Sequence, residues 1–182
     1  MIDLDRERLN PISKENLNLV DKIAKFRIRT AFEVCLVLTR AKPGDFIRKN
    51  VKNSSEILNL VKEIDGLDFH ERKEMLFFYD PDNLSHPVLK ELTKLNKTDP
   101  KEQLIVDEIT FDRTTRLFGK IFGYPQCCVQ AFLENKTLNQ YKKATEHLWC
   151  SENCQQSINM QKKYITVAEK YFPVRKNDLL HF

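Results

Sequence analysis

Four of the five cysteines in the chain lie close together in the sequence, and their type and spacing suit metal or thiol chemistry. Cys127 and Cys128 stand in the segment FGYPQCCVQAF. Gly123 ends the preceding helical pattern and Pro125 suits the first position of a new helix, so both cysteines fall in the first turn of that helix. Unpaired N–H groups and the helix dipole favour a thiolate there, which is the form needed for metal ligation and for nucleophilic attack.

A second group of candidate ligands follows in the segment HLWCSENC. His147, Cys150 and Cys154 have the spacing i, i+3, i+7, so a helix would place all three on one stripe. Together with a cysteine from the preceding helix they would form a set of three sulfurs and one nitrogen suited to Zn²⁺. An iron–sulfur cluster could use the same ligands. Residues 151–153 (SEN) are weak helix formers, so a turn is also plausible there.

Two other interpretations of these cysteines stay open. The same stripe continues to Ile158 and Ile165, so the cysteines could be core residues of one long amphipathic helix. Alternatively, Cys127 or Cys128 is the nucleophile or redox thiol of an enzyme, with His147 as its base. The sequence does not decide which of the two adjacent cysteines faces the others.

The cysteine motifs resemble those of a known family. The string GYPQCCVQAF is followed by the pattern H-x₂-C-x₃-C-x₂-S, formed by His147, Cys150, Cys154 and Ser157. This combination is similar to the archaeal protein family of unknown function called domain of unknown function 483, over about residues 111–158. The resemblance implies that the cysteines belong to one signature and act together, which favours metal binding or thiol chemistry. It implies no particular reaction.

Three basic residues lie on the helical pattern that leads into the first cysteine pair. Arg113, Arg116 and Lys120 are spaced i, i+3, i+7 and could form a weak anion-binding wall or hold the substrate of a thiol enzyme. Asp112 and Glu108 lie nearby in the sequence. The favoured interpretation is therefore an ordinary solvated helix face.

Hydrophobic periodicity predicts the elements that must position these residues. In the front half it predicts a helix over 14–30, a buried strand over 31–39, a helix from Ser54 or Ser55, and a second buried strand over 75–79. The back half reads as almost wholly helical, over 102–122, 125–136, 138–150 and 155–171.

The polar stretch around Pro100 is the best candidate for a boundary between the two halves. The expected fold is α+β and predominantly helical. A small α/β-type portion over 1–98, with a few short strands, would pack on a helical, cysteine-bearing portion over 99–182. The two portions could form one integrated domain.

The composition excludes several classes of protein. Of 182 residues, 41% are hydrophobic and 31% are charged, which is typical of a globular chain and not of a disordered one. No run of residues is long and apolar enough for a membrane helix. The first ten residues, MIDLDRERLN, lack the apolar core of a secretory signal, so a cytoplasmic location is expected.

Charge, glycine content and cysteine number narrow the partners further. The 30 basic and 26 acidic residues leave a net charge of only +4, so a nucleic-acid partner stays open but is not favoured. The four glycines form no phosphate-binding loop, so no nucleotide cofactor is expected. An odd number of cysteines argues against a disulfide framework. Cys35 lies in an apolar run and reads as a small buried hydrophobe.

Overall fold

The computed structural model describes residues 9–72, 74–84, 87–88, 90–91, 108–137, 141–142 and 147–180. These residues form seven helices and five strands, so the fold is α+β and dominated by helices, as the sequence predicts. The predicted boundary near Pro100 lies outside the described residues. In chain order the elements are α1 (Lys14–Phe26), α2 (Ile28–Leu38), β1 (Gly44–Arg48), α3 (Ser54–Lys62), β2 (Asp68–Glu71), β3 (Met75–Tyr79), α4 (Glu108–Ile121), α5 (Gln126–Leu133), β4 (Tyr141–Lys142), β5 (His147–Leu148), α6 (Gln155–Tyr171) and α7 (Lys176–Leu180).

The strand predicted over 31–39 is wrong, because this segment belongs to helix α2. Arg27 has an extended backbone, with φ −156° and ψ 98°, and separates α2 from α1. Every residue from Thr30 to Val37 is buried. A helix that is buried on all sides shows no alternation of polar and apolar residues, so a short apolar run cannot be distinguished from a buried strand by its pattern.

Strand β3 is the centre of a three-stranded antiparallel sheet with the order β1-β3-β2, and its prediction over 75–79 is confirmed. Adjacent side chains of a strand point to opposite faces. Phe78 therefore joins a core cluster with α1, α2, α3 and α6, whereas Phe77 packs with Leu117, Ile121 and Phe122 of the α4 region. The sheet thus connects the front of the chain to the helix that leads into the cysteines.

The back half confirms three predicted helices in part and corrects a fourth. Helices α4, α5 and α6 lie within the predicted segments 102–122, 125–136 and 155–171. The helix predicted over 138–150 is wrong: its described residues contain the short antiparallel pair β4–β5. In a helix, the N–H of Cys150 would bond to a carbonyl four residues earlier. Here it donates to Cys128 Sγ at 3.4 Å, so a contact with α5 replaces a helical hydrogen bond.

Helix α6 joins the back of the chain to the core of the front. Its buried residues Tyr164, Val167 and Ala168 belong to the same cluster as Phe32 of α2. The rings of Phe32 and Tyr164 meet edge to face at 6.3 Å. One core therefore includes residues from both predicted portions. Within the described part of the chain, no helix combines the length and apolarity needed to cross a membrane.

Candidate metal centre

A tight connection between α4 and α5 positions the first cysteine pair. Gly123 has a φ of +70°, which a residue with a Cβ rarely adopts. The N–H of Tyr124 then bonds back to the carbonyl of Gly119 at 2.7 Å. Pro125 is the N-cap residue of α5, and its carbonyl accepts the N–H of Cys128 at 2.9 Å. Cys127 and Cys128 thus lie in the first turn of α5, as the sequence predicts.

The second cysteine pair lies between β5 and α6, where the predicted turn over 151–153 is present. Cys150 follows β5, and the N–H of Cys154 bonds to the carbonyl of Ser151 at 3.3 Å. Cys154 is the N-cap residue of α6. The predicted stripe of His147, Cys150 and Cys154 on one helix is therefore wrong, because the three residues lie on a strand, in a bend and at a helix start.

The fold brings the four cysteine sulfurs of these two segments together. The Sγ atoms of Cys127, Cys128, Cys150 and Cys154 all lie within 4.8 Å of one another. Cys154 Sγ is 3.6 Å from Cys127 Sγ and 3.7 Å from Cys128 Sγ. Both adjacent cysteines therefore face the group, which settles a point the sequence left open. Four sulfurs at this spacing could hold a metal ion.

The sulfurs span the boundary between core and solvent. Cys128 and Cys154 are buried, Cys150 is half-buried and Cys127 is exposed. A metal ion held between them would therefore be shielded on the side of Cys128 and Cys154 and reachable from solvent on the side of Cys127.

His147 lies behind the sulfurs and is separated from them by a serine. Its Nε2 is 3.0 Å from Ser157 Oγ, which is 3.2 Å from Cys128 Sγ. The imidazole stacks on the ring of Tyr124 with centroids 4.9 Å apart. Among the described residues, His147 is not one of the four groups that meet around the potential ion. The spacing of possible ligands did not identify Ser157 as the contact between His147 and Cys128. Its position in the cysteine signature was the one sequence feature that pointed to it.

Burial and hydrogen bonds shift the pKa values of Cys127, Cys128 and Cys154 in different directions. Partial desolvation and hydrogen bonds with Cys154 and Cys150 raise the pKa of Cys127 to about 11, and burial raises that of Cys128 to about 12. Burial also acts to raise the pKa of Cys154, but hydrogen bonds from Ser157 and from Cys127 and Cys150 outweigh it and lower this pKa to about 7. The thiol whose pKa is lowered is thus at the start of α6, whereas the sequence suggested thiolates at the start of α5.

Two of the three predicted anion-binding residues, Arg113 and Arg116, already have acidic or amide neighbours. Arg113 lies 3.6 Å from a carboxylate oxygen of Glu91. Arg116 pairs with Asp112 at 3.0 Å and donates to Gln130 Oε1 at 2.8 Å, so it connects α4 to α5. Lys120 is exposed. This arrangement agrees with a solvated helix face, and anion binding stays a prediction.

The fifth cysteine takes no part in the site. Cys35 is fully buried in α2, where it belongs to the main core cluster. Burial raises the pKa of its thiol well above the usual range, so Cys35 is expected to be unreactive near neutral pH. The interpretation of Cys35 as a small hydrophobic residue agrees with this position.

Comparisons of the chain with models of known protein families, with curated proteins and with solved structures found no match. The resemblance of its cysteine signature to the archaeal family therefore stays a prediction.

Proposed function

We propose that this protein binds one zinc ion through Cys127, Cys128, Cys150 and Cys154. The observation that carries the proposal is the convergence of four sulfurs within 4.8 Å of one another. Zn–S bonds of about 2.3 Å at tetrahedral angles place the ligand sulfurs about 3.8 Å apart. The separations of 3.6 and 3.7 Å from Cys154 to the adjacent pair are close to that value.

The spacing also favours a single ion over an iron–sulfur cluster. In a cluster the cysteine sulfurs bind different iron atoms, so they lie farther apart than the ligands of one ion. Four thiolates with no oxygen donor suit zinc and do not suit magnesium or calcium. A single iron ion would fit the same four sulfurs, and metal analysis distinguishes it from zinc.

The proposed role of the ion is to hold three neighbouring segments together. It would cross-link the start of α5, the bend after β5 and the start of α6. Helix α5 has only eight residues, and a helix this short is marginal without tertiary contacts. Four protein ligands also close the coordination sphere, which is typical of structural zinc sites.

The first test is the metal content of protein purified anaerobically without a chelator. We expect about one zinc per chain, and a lower melting temperature once a chelator removes it. The Cys154→Ser variant should lose the metal, whereas the Cys35→Ala variant should keep it. Metal-free protein, or equal loss in both variants, would contradict the proposal. Metal-free protein with one thiol that alkylates quickly near neutral pH would favour the thiol enzyme instead.

X-ray absorption at the zinc edge tests the ligand set. We expect four sulfurs at about 2.3 Å and no nitrogen. Three sulfurs and one nitrogen would restore His147 as a ligand, as the sequence predicts. The His147→Ala variant provides the matched result: it should keep its zinc if the four cysteines are the ligands.

A further inference from the structure

A cavity of about 270 Å³ lies directly beside the four cysteines, between α4, α5 and β5. Most of its lining is apolar, and Cys128 and His147 form part of its wall. The metal ligand Cys128 therefore belongs both to the sulfur group and to this cavity. Neither zinc binding nor the cysteine signature accounts for the space.

Aromatic rings make up much of the cavity wall, and two pairs of them are stacked. Phe118 and Phe122 are inclined by 7° with centroids 5.7 Å apart, and both line the cavity. Tyr124 and His147, also in the lining, are inclined by 22°. An aromatic wall favours a planar aromatic ring, which can stack on it or meet it edge to face, over a rounded aliphatic molecule.

Exposed aromatic side chains continue from the cavity to the surface. Phe132 lines the cavity and is 41% exposed. It packs on Phe111, which is 48% exposed, with ring centroids 6.4 Å apart. Large apolar side chains left in water beside a cavity are typical of a binding site for an apolar ligand.

We infer that this cavity binds a small, planar, mostly apolar ring compound of about two fused rings. A protein cavity of about 150 Å³ is large enough for benzene, so the space here suits a larger ring system. The lining offers few polar groups, among them the hydroxyl of Thr115 and the imidazole of His147. A bound ring would contact Cys128 and so change the surroundings of one metal ligand. Only this effect on the metal centre rests on the proposed zinc site.

Calorimetric titration of the purified full chain with indole tests the binding. We expect one site with a dissociation constant of roughly 1 mM or tighter, which is ordinary for a ligand of this size. Adamantanol, which is similar in size but rounded, should bind at least about tenfold more weakly. No heat of binding with indole, or equal affinity for both probes, would overturn the inference.

A pair of adjacent threonines provides matched variants. Thr115 lines the cavity, whereas Thr114 does not, and both are half-buried on α4. Thr115→Phe should fill the space and weaken indole binding by at least about tenfold, and Thr114→Phe should bind indole as the parent does. Phe132→Ala, at a half-exposed position, should also weaken binding without disturbing the core. Unchanged affinity in both cavity variants would place the ligand elsewhere.

Cobalt in place of zinc tests the contact with the metal centre. The sulfur-to-cobalt absorption bands should shift when indole saturates the protein, because Cys128 contacts both. Unshifted bands at saturation would overturn this contact but leave binding to the cavity intact. If the protein binds no metal, the titration with indole still tests the cavity, so failure of the zinc site and failure of the ligand site are distinguishable.

Discussion

Ser157 connects the sulfur group to His147 through hydrogen bonds. It is fully buried, and its hydroxyl lies between Cys128 Sγ at 3.2 Å and His147 Nε2 at 3.0 Å. A hydroxyl that accepts a hydrogen bond from the imidazole can donate its own proton to the sulfur. This direction would stabilise a thiolate at either of the two sulfurs that the hydroxyl reaches, Cys128 or Cys154, and fix the proton of His147 on Nε2. Such groups behind the ligands commonly tune a metal site.

Replacing Ser157 should therefore weaken both the fold and the metal site. We expect Ser157→Ala to lower the free energy of unfolding by about 1–3 kcal/mol, because Cys128 and His147 lose a buried partner. Zinc affinity should fall about 10- to 100-fold. Urea unfolding and competition with a chelator measure the two effects. The control is Ser151→Ala at an exposed position, and equal results for the two variants would contradict the role of Ser157.

The backbone conformation around Cys127 and Cys128 was the part of the site that the sequence predicted best. A glycine followed by Tyr-Pro is enough to end one helix and begin another, and the first turn of α5 follows directly from it. The same reasoning failed for His147. A helix and a strand send the same side chain in different directions, and pairing with β4 decides which one forms.

Among the elements, the direction of α5 depends on Gly123, which allows the tight turn between α4 and α5. A Cβ at this position would lie 2.6 Å from Cδ of Pro43 in the front half of the chain, which is far inside normal contact. The position therefore demands glycine twice, for its positive φ and for the close approach of another segment. Gly66 has a similar φ of +83°, but a Cβ there would meet no atom within 4 Å.

The two glycines make a matched pair of variants. Gly66→Ala should cost about 1–2 kcal/mol of unfolding free energy, from backbone strain alone. Gly123→Ala should cost about 1–3 kcal/mol more, because Pro43 must move. It should also reduce the zinc content, since α5 carries two of the four ligands. If urea unfolding gave the same loss of unfolding free energy for both variants, Pro43 would be able to move aside without a measurable loss of stability, which would contradict the prediction.

Helix α2 shows where periodicity stops being informative at the scale of an element. The segment is surrounded by α1, the sheet, α6 and α7, so residues on all of its faces are buried. Eight successive buried residues then read as one short, largely apolar run, which is also the pattern of a buried strand. The helix confirmed most closely is α6, which carries a buried stripe on one side and exposed residues on the other.

At the scale of the whole molecule, a buried charged cluster joins the front core to the cysteine-bearing half. Lys42 is 2% exposed and pairs with Glu33 at 2.8 Å and with Asp45. Its Nζ also lies 5.3 Å from the ring centroid of Phe122. Burial would lower the pKa of Lys42, but the two carboxylates hold it well above its usual value. The ammonium group therefore stays charged inside the core.

Removing the lysine charge should destabilise the whole fold. We expect Lys42→Met to lower the free energy of unfolding by about 3–5 kcal/mol, because it leaves buried carboxyl groups without their cation. Lys62→Met, which removes a cation paired with Glu71 at the surface, should cost less than about 1 kcal/mol. Thermal and urea unfolding give the comparison. Similar losses in the two variants would mean that the buried carboxyl groups are stable without Lys42.

The sequence by itself determined the helix-rich composition of the fold, the starts of α5 and α6 and the grouping of cysteines into two pairs. These features depend on residues a few positions apart, whose steric and hydrogen-bonding preferences act locally. The meeting of the two pairs was decided by the tertiary structure, because 21 residues separate Cys128 from Cys150. Only the packing of α5 against β5 and α6 brings their sulfurs together, puts Ser157 between His147 and Cys128, and leaves a cavity beside them.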